Sequence, residues 1–355
     1  MNAYAGLAGP IVRSVDADDG RECARIDRFL IGHPRATLFH RPAWVRAVAA
    51  GTGHAGRFLV AERGRAIVGL LPVTEIRSRL FGSALVSSGF GVGGGILADD
   101  EQTIRLLARA AIALASKSRC GSVELRGGPV PDGFAAETGN HAGFARDLAD
   151  DDEALLKAIP RKQRAEVRRA QSLGLAVSVG RGPNDRRAHH AVYAESVRNL
   201  GTPVFPRSLF DTMIDFFGDN ADILTVRADG RPVASVLSFY FKGCVYPYWG
   251  GGTRAARSLR ANELMYFELM RHAVRRGCIR FDFGRSKVGT GAFAYKKNWG
   301  FEPEPLTYAR YSTDGAEPRT INPLDPKYRL RIEVWKRLPL WVANRIGPII
   351  ARGLG

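Results

Sequence analysis

Residues 58–73 place apolar runs, Phe58-Leu59-Val60-Ala61 and Ala66-Ile67-Val68, on either side of a charged, glycine-containing turn, Arg63-Gly64-Arg65. This is the pattern of a β-hairpin. Residues 224–239 repeat it around Asp229-Gly230-Arg231. After each hairpin a further strand is expected to end in glycines, Gly93-Gly94-Gly95 in the first case and Gly250-Gly251-Gly252 in the second. A helical period follows over residues 104–117 and again over 262–275, and then a short strand ending at Gly127 or Gly284. Gly93 and Gly250 stand 157 residues apart, and so do Gly127 and Gly284. One spacing kept by two markers predicts duplication of a whole βαβ-containing unit.

The first unit is read as residues 1–149, with a helical stretch beginning near Phe39-His40-Arg41-Pro42-Ala43-Trp44. The second is read as residues 150–312, opening on the acidic helix start Asp150-Asp151-Asp152-Glu153. Its next helix is expected after Pro160, from Arg161 to Ser172, with Gly174 as the stop. Residues 313–355 form a basic tail outside both repeats.

Composition narrows the class. The 355 residues are 45% hydrophobic and 9% aromatic, which suits globular domains and excludes a disordered chain. Cys23, Cys120, Cys244 and Cys278 are widely separated, so neither a disulfide framework nor a structural zinc site is expected. Met1 to Ser14 has no charged segment leading into an apolar core, and no apolar run is long enough to span a bilayer. A cytoplasmic location is the expectation. The formal charge of +17 predicts attraction to RNA, anionic lipid or phosphate-bearing substrates, an arginine-rich composition being the plainer alternative.

Several residues carry candidate chemistry. Asp282 alternates with Phe281 and Phe283, so its carboxylate faces away from both rings, where it would orient or deprotonate an amine, or cap a loop. Arg285, Ser286 and Lys287 follow a glycine and suit a phosphate, as many exposed loops do. Tyr248 and Trp249 precede three glycines and a helix start, a place for a substrate anion or for core packing. Arg161, Lys162, Arg164, Arg168 and Arg169 crowd one short helix against Glu166 alone, a density that suits RNA phosphates or a nucleotide diphosphate. Gly89-x-Gly91-x-x-Gly94 matches a dinucleotide fingerprint in spelling but not in context. His189-His190 has no second ligand pair, and no metal is implied.

The run Arg280-Phe281-Asp282-Phe283-Gly284, followed by Ala294-Tyr295-Lys296-Lys297-Asn298-Trp299-Gly300-Phe301, resembles the Fem-family signature, a D-F-G strand end and an F-K-x-x-F-G element. The basic helix ending in Leu173-Gly174-Leu175-Ala176-Val177 resembles that family as well. The tail, Asn322-Pro323-Leu324-Asp325-Pro326-Lys327-Tyr328 with Trp335-Lys336-Arg337-Leu338-Pro339, is similar to the Fem-like branch associated with exosortase/PEP-CTERM exopolysaccharide systems. The resemblance implies an α/β fold of tandem GNAT-like domains, each a mixed central sheet flanked by helices.

It also implies an acyl- or aminoacyltransferase acting on a cell-envelope or exopolysaccharide precursor, nucleotide- or lipid-linked. Aminoacyl-tRNA or acyl-CoA would be the donor, with no tightly bound cofactor. An acyl-CoA- or carrier-dependent N-acyltransferase, or a non-catalytic assembly factor, remains the alternative. The standard acetyl-CoA pyrophosphate loop is not evident before Asn262. The long helical arm that some Fem proteins insert is missing too.

Lys296 falls on the motif lysine, where the resemblance implies a cation that holds phosphate or developing negative charge; by spacing alone it would be a surface lysine beside Lys297. Tyr295 stands where the family has Phe, so its ring or its backbone carbonyl matters more than its hydroxyl. Trp299 takes the second aromatic place. In residues 328–350, arginines and lysines mixed with Trp335, Trp341 and Leu338 suit a helix on an anionic inner-membrane surface, packing back on the domains being the alternative.

Overall fold

The computed structural model describes residues 9–313, 315 and 326–355, and the side chains of all of these except 326–329. The tail motif at Asn322-Pro323-Leu324-Asp325 lies outside the described residues. The chain forms two compact units, and they are not consecutive in sequence. The first takes the described residues within Met1–Thr138, Thr307–Ile321 and Gly353–Gly355; the second takes those within Gly139–Leu306 and Asn322–Arg352.

The first unit contains β1 (Ile11–Asp16), α1 (Gly20–Gly32), α2 (Pro42–Thr52), β2 (Ala55–Arg63), β3 (Ala66–Ser78), β4 (Gly82–Ser87), β5 (Leu97–Ala98), α3 (Glu101–Lys117) and β6 (Ser122–Arg126). β2 and β3 are the expected hairpin, turning at Gly64 (φ +61°). β4 pairs antiparallel with β3 and then parallel with β6, at Leu85↔Val123 and Val86↔Glu124. α3 packs its Leu107, Ala108, Ala111 and Ala115 on this sheet, and Asp100 caps it through a 2.8 Å bond from Thr103 N–H.

The second unit contains the larger part of β7 (Ala135–Asp147), then α4 (Asp152–Ala158), α5 (Arg161–Gln171), β8 (Ala176–Gly180), α6 (Pro183–Leu200), α7 (Arg207–Phe217), β9 (Ala221–Ala228), β10 (Arg231–Phe241) and β11 (Cys244–Gly252). It continues through α8 (Ala256–Leu259), α9 (Ala261–Arg275), β12 (Arg280–Lys287), α10 (Gly291–Asn298), β13 (Glu304–Ser312), α11 (Pro326–Arg337) and α12 (Leu340–Ala351). Residues 307–312 of β13 lie in the first unit.

The duplication is visible in the strand pairing. β9 and β10 form the second hairpin, turning at Gly230 (φ +75°). β11 pairs antiparallel with β10 and parallel with β12 over Cys244↔Arg280 and Val245↔Phe281, two pairs as in β4 and β6. Gly127 (φ +73°) and Gly284 (φ +69°), 157 positions apart, adopt the same left-handed conformation.

Each unit also closes its sheet with a strand from the other side of the expected boundary. The first unit orders β1-β2-β3-β4-β6-β13, with Tyr308↔Arg126 in register; the second orders β7-β12-β11-β10-β9-β8, with Phe281↔Arg146 in register. Residues 139–147 therefore join the second unit, ahead of residue 150. A strand's partner is set by edge complementarity, which local pattern does not carry. The first unit differs from expectation in one more place. β4 stops at Ser87 because Ser88 (φ +50°) and Phe90 (φ +61°) turn the backbone, so Gly93-Gly94-Gly95 lie in a loop, not at a strand end.

Candidate functional site

The site is built where α10 returns to β12. Against β7, β12 pairs Asp282↔Ala145 and then Arg285↔Gly143, so it holds one residue more than its partner. That is a β-bulge, and Gly284 supplies the positive φ it needs. The extra residue shifts the alternation of side chains. Asp282 and Arg285 share one face because Ala145 and Gly143 do, whereas Phe281 and Ser286 share the other with Arg146 and Ala142. Phe283 and Phe144 belong to that second face, in the core under α9.

Beyond the bulge, Thr290 caps α10 by accepting the Phe293 N–H at 3.4 Å. The helix ends at Gly300 (φ +78°), where Gly300 N–H meets Lys297 O at 2.9 Å and Phe301 N–H meets Lys296 O at 3.3 Å. This paired bonding is a Schellman stop. It explains the motif spacing in physical terms: the glycine terminates the helix, and Trp299 and Phe301, both fully buried, anchor it. Lys296 is then fixed on the last turn.

From there Lys296 Nζ donates to Gly284 O at 3.0 Å and to Arg285 O at 2.9 Å. The ammonium stands 5.4 Å from the ring centroids of both Phe144 and Phe283. Burial lowers its pKa from 10.5 to about 7; the Asp282 carboxylate opposes that shift and Arg285 adds to it. An amine so placed exchanges a proton near neutral pH while two carbonyls hold it in position. Gly284→Ala meets no steric obstacle but must adopt φ +69°, so it should cost about 1–2 kcal/mol in a urea titration and loosen the Lys296 cradle.

Asp282 accepts the Gly284 N–H at 2.8 Å, and burial raises its pKa. It faces away from Phe283, while Lys296 approaches the bulge from the side of Phe144 and Phe283. The two groups flank one bulge from opposite faces. Tyr295 packs against the core rings of Tyr266, Phe283 and Trp299, and burial, with Glu263 adding to it, pushes its hydroxyl's pKa well above 10.0.

Trp299 is enclosed at 0% exposure and offers a substrate no surface. Trp249 is likewise packed, with ring centroids 5.2 Å from Phe210 and 6.1 Å from Phe239. Tyr248 is half-buried at the extra position of a second bulge, in β11 between Pro247 and Trp249. Ser286 is buried, its hydroxyl without a partner among the described residues, and Arg285 and Lys287 are half-buried on the Asp282 face.

On α5, Gln163, Val167 and Ala170 face the core, leaving Arg161, Lys162, Arg168 and Arg169 exposed. Arg164 is different. Its guanidinium folds back onto Lys157 O (3.1 Å) and Ile159 O (3.0 and 3.2 Å), satisfying the open end of α4, so it leaves the exposed cationic set. Glu166 pairs with Arg260 at 2.6 Å.

Two contributors were not readable from sequence. Phe144 comes from β7 ahead of the expected boundary, and the bulge carbonyls of Gly284 and Arg285 carry no side-chain signal. Beyond Val245 and Phe281, no described strand pairs with the facing edges of β11 and β12. Unpaired edges of this kind accept an extended ligand by backbone hydrogen bonding.

In the first unit the loop around residues 88–95 is tied down at the corresponding place. Ser88 Oγ donates to Phe39 O at 2.5 Å, Trp44 Nε1 to Gly89 O at 3.0 Å, and Arg126 Nη1 to Gly91 O at 2.7 Å. A Cβ on Gly95 would lie 1.8 Å from Gly127 O. This loop contains the dinucleotide-like glycines, and their role there is close packing. Among the described residues no cluster of three or more His, Cys, Asp or Glu could hold a metal ion, and no helix is long and apolar enough to cross a membrane.

Comparison with known proteins agrees with this architecture. The crystal structure of FemX superposes with a TM-score of 0.65 at 14% identity, covering 80% of this chain and 95% of that one. A tandem GNAT protein from the clavulanic acid biosynthesis pathway gives 0.55 at 15% identity, over 86% and 100%. L-PGS from Bacillus licheniformis gives 0.54 at 13% identity, over 91% and 99%. A comparison with curated protein sequences finds no match. Residues 160–297 match the model of the acetyltransferase (GNAT) domain family, so the second unit carries a domain of acyltransferase type within a tandem GNAT-like fold.

Proposed function

We propose that the chain transfers an aminoacyl group from aminoacyl-tRNA to an amine of a cell-envelope or exopolysaccharide precursor, beside the Lys296 bulge. The observation that carries this reading is the Lys296 amine, held by two carbonyls with its pKa brought down to about 7. Acyl transfer to an amine needs proton removal as the bond forms. The acceptor nitrogen attacks the ester carbonyl carbon and forms the C–N bond. Its proton passes to the neutral Lys296 amine. The C–O bond to the ribose breaks, and the leaving oxygen takes the proton back. Asp282, on the other face of the bulge, keeps the strand end in shape through the Gly284 N–H.

An RNA-borne donor is supported by the exposed Arg161, Lys162, Arg168 and Arg169, and by the resemblance of residues 280–284 and 294–301 to the Fem-family signature. Membership of the exopolysaccharide-associated Fem-like branch is part of the proposal and rests on the tail motif. The match to the acetyltransferase domain favours one second reading, transfer from an acyl-CoA thioester to an amino sugar.

Charged tRNA and acyl-CoA, each incubated with the purified protein and an amine acceptor, separate the two through loss of ester or of thioester. If the donor is RNA and three or four α5 cations meet phosphates, log K should fall with log salt at a slope of about −2 to −3. Arg168→Glu with Arg169→Glu should flatten that slope by about 1.4. Thioester turnover without ester turnover, or a slope near zero, would reject the RNA donor.

A further inference from the structure

The second unit ends on two helices whose apolar residues are distributed unusually. α12 lays Ala343, Gly347 and Ala351, spaced four apart, on its buried face. A Cβ on Gly347 would stand 3.1 Å from Val204 Cγ1 and backbone N, so small residues let the helix lie close on its support. Three large apolar side chains point the other way, while Leu340, Val342 and Ile350 are half-buried. Trp341 is 72% exposed, Ile349 73% and Ile346 37%. Arg345 is exposed too, and falls between Trp341 and Ile349 at helical spacing, so the three share a stripe. An ordinary surface helix has the reverse arrangement, with large apolar groups against the core and charge outside.

α11 repeats the feature over one turn, with Leu330 at 75% and Val334 at 55% exposure and Arg337 exposed nearby. Glu333 is the one acid among residues 326–355, and it is paired with Lys336 at 2.7 Å.

We propose that this face docks on an anionic lipid bilayer surface. Trp341, Ile346 and Ile349 enter the boundary between headgroups and acyl chains, and Arg345 and Arg337 meet lipid phosphates. The mixture of side chains selects this occupant. Aliphatic Ile346, Ile349, Leu330 and Val334 have no use against RNA, which rewards aromatic stacking and cations. A second copy of the chain would bring the same basic stripe against itself, where like charges repel. A bilayer accepts apolar groups and cations together, with tryptophan at the interface. α12 has 12 residues, about 18 Å of helix, enough to lie in the interface and too short to cross.

The test uses the full-length protein sedimented with vesicles of phosphatidylcholine alone or with about 30% phosphatidylglycerol. Binding to the anionic vesicles only is expected, with a blue shift of tryptophan emission that Trp341→Phe largely removes. Trp341→Ser combined with Ile349→Ser should weaken binding about ten-fold or more while the melting temperature stays put, because both side chains are already solvent-exposed. Arg345→Glu should weaken it and steepen its loss with salt.

No sedimentation with anionic vesicles at low salt would overturn the proposal, as would undiminished binding by the double serine variant. Two further results would replace it. A wild-type dimer that the double serine variant converts to monomer would make a second copy the occupant. RNA binding lost in that variant, without vesicle binding by the wild type, would make the face a nucleic-acid surface.

Discussion

Lys296→Met is expected to lower the acyl-transfer rate about 10²–10⁴-fold, the range for losing a positioned proton acceptor. In the wild type the rate should rise with pH through about 7 and level off above it, because neutral amine is the working form and burial has lowered the pKa to that value. Below that point each pH unit should cost about ten-fold in rate. Lys296→Arg should be nearly as inactive as the methionine variant, since a guanidinium keeps its proton throughout this range. Recovery of activity with arginine would assign the lysine a purely electrostatic part and sink the proton-transfer account. Single-turnover measurements from pH 5.5 to 9 at fixed ionic strength, analysed by their slope of about one, read all three outcomes.

Stability gives an independent reading of the same group. Unfolded, the lysine holds its proton up to its ordinary pKa of 10.5; folded, it releases the proton near 7. Between those values the unfolded chain binds more protons, so the wild type gains stability as pH rises. Below about 7 both states are charged, and the penalty for burying the ammonium is fully present. The advantage of Lys296→Met over wild type should therefore shrink between pH 7 and 10, by no more than about 1.4 kcal/mol per pH unit.

Trp299→Ala is expected to destabilise the second unit by about 3–5 kcal/mol, the cost of deleting a large, fully buried aromatic side chain. The ring lies within 6.1 Å of Tyr266 and 6.3 Å of Tyr295 by centroid, and its carbonyl accepts Arg146 Nη1 at 3.1 Å. Thermal unfolding should show a drop of about 2–4 °C per kcal/mol. Trp299→Phe should cost far less and keep most of the transfer rate, because the residue holds the Schellman stop that presents Lys296 and touches no substrate. A phenylalanine variant that folds normally but loses all activity would place the indole in the chemistry after all.

The fit between sequence pattern and structure is uneven for reasons visible residue by residue. Turns and stops were legible because they depend on a few adjacent residues. Gly64 and Gly230 in the hairpins and Gly174 after α5 each act over a few neighbouring positions. The duplication was legible through its spacing. The exposed cations of α5 were legible as composition, but Arg164 was not separable from them, because its partners are the carbonyls of a preceding turn.

By itself, then, the sequence determined the hairpins, the repeat of a βαβ-containing unit, the stop of the basic helix α5 at Gly174, and the mixed apolar and basic character of the tail. These follow from local sterics, periodicity and charge. Tertiary structure alone decided that residues 139–147 pair with β12 and so bring Phe144 to the lysine. It decided the bulge that puts Asp282 and Lys296 on opposite sides of β12, and the burial that moves the amine to about 7. Strand partners, face parity and desolvation depend on groups far apart in the chain, and no window of neighbouring residues contains them.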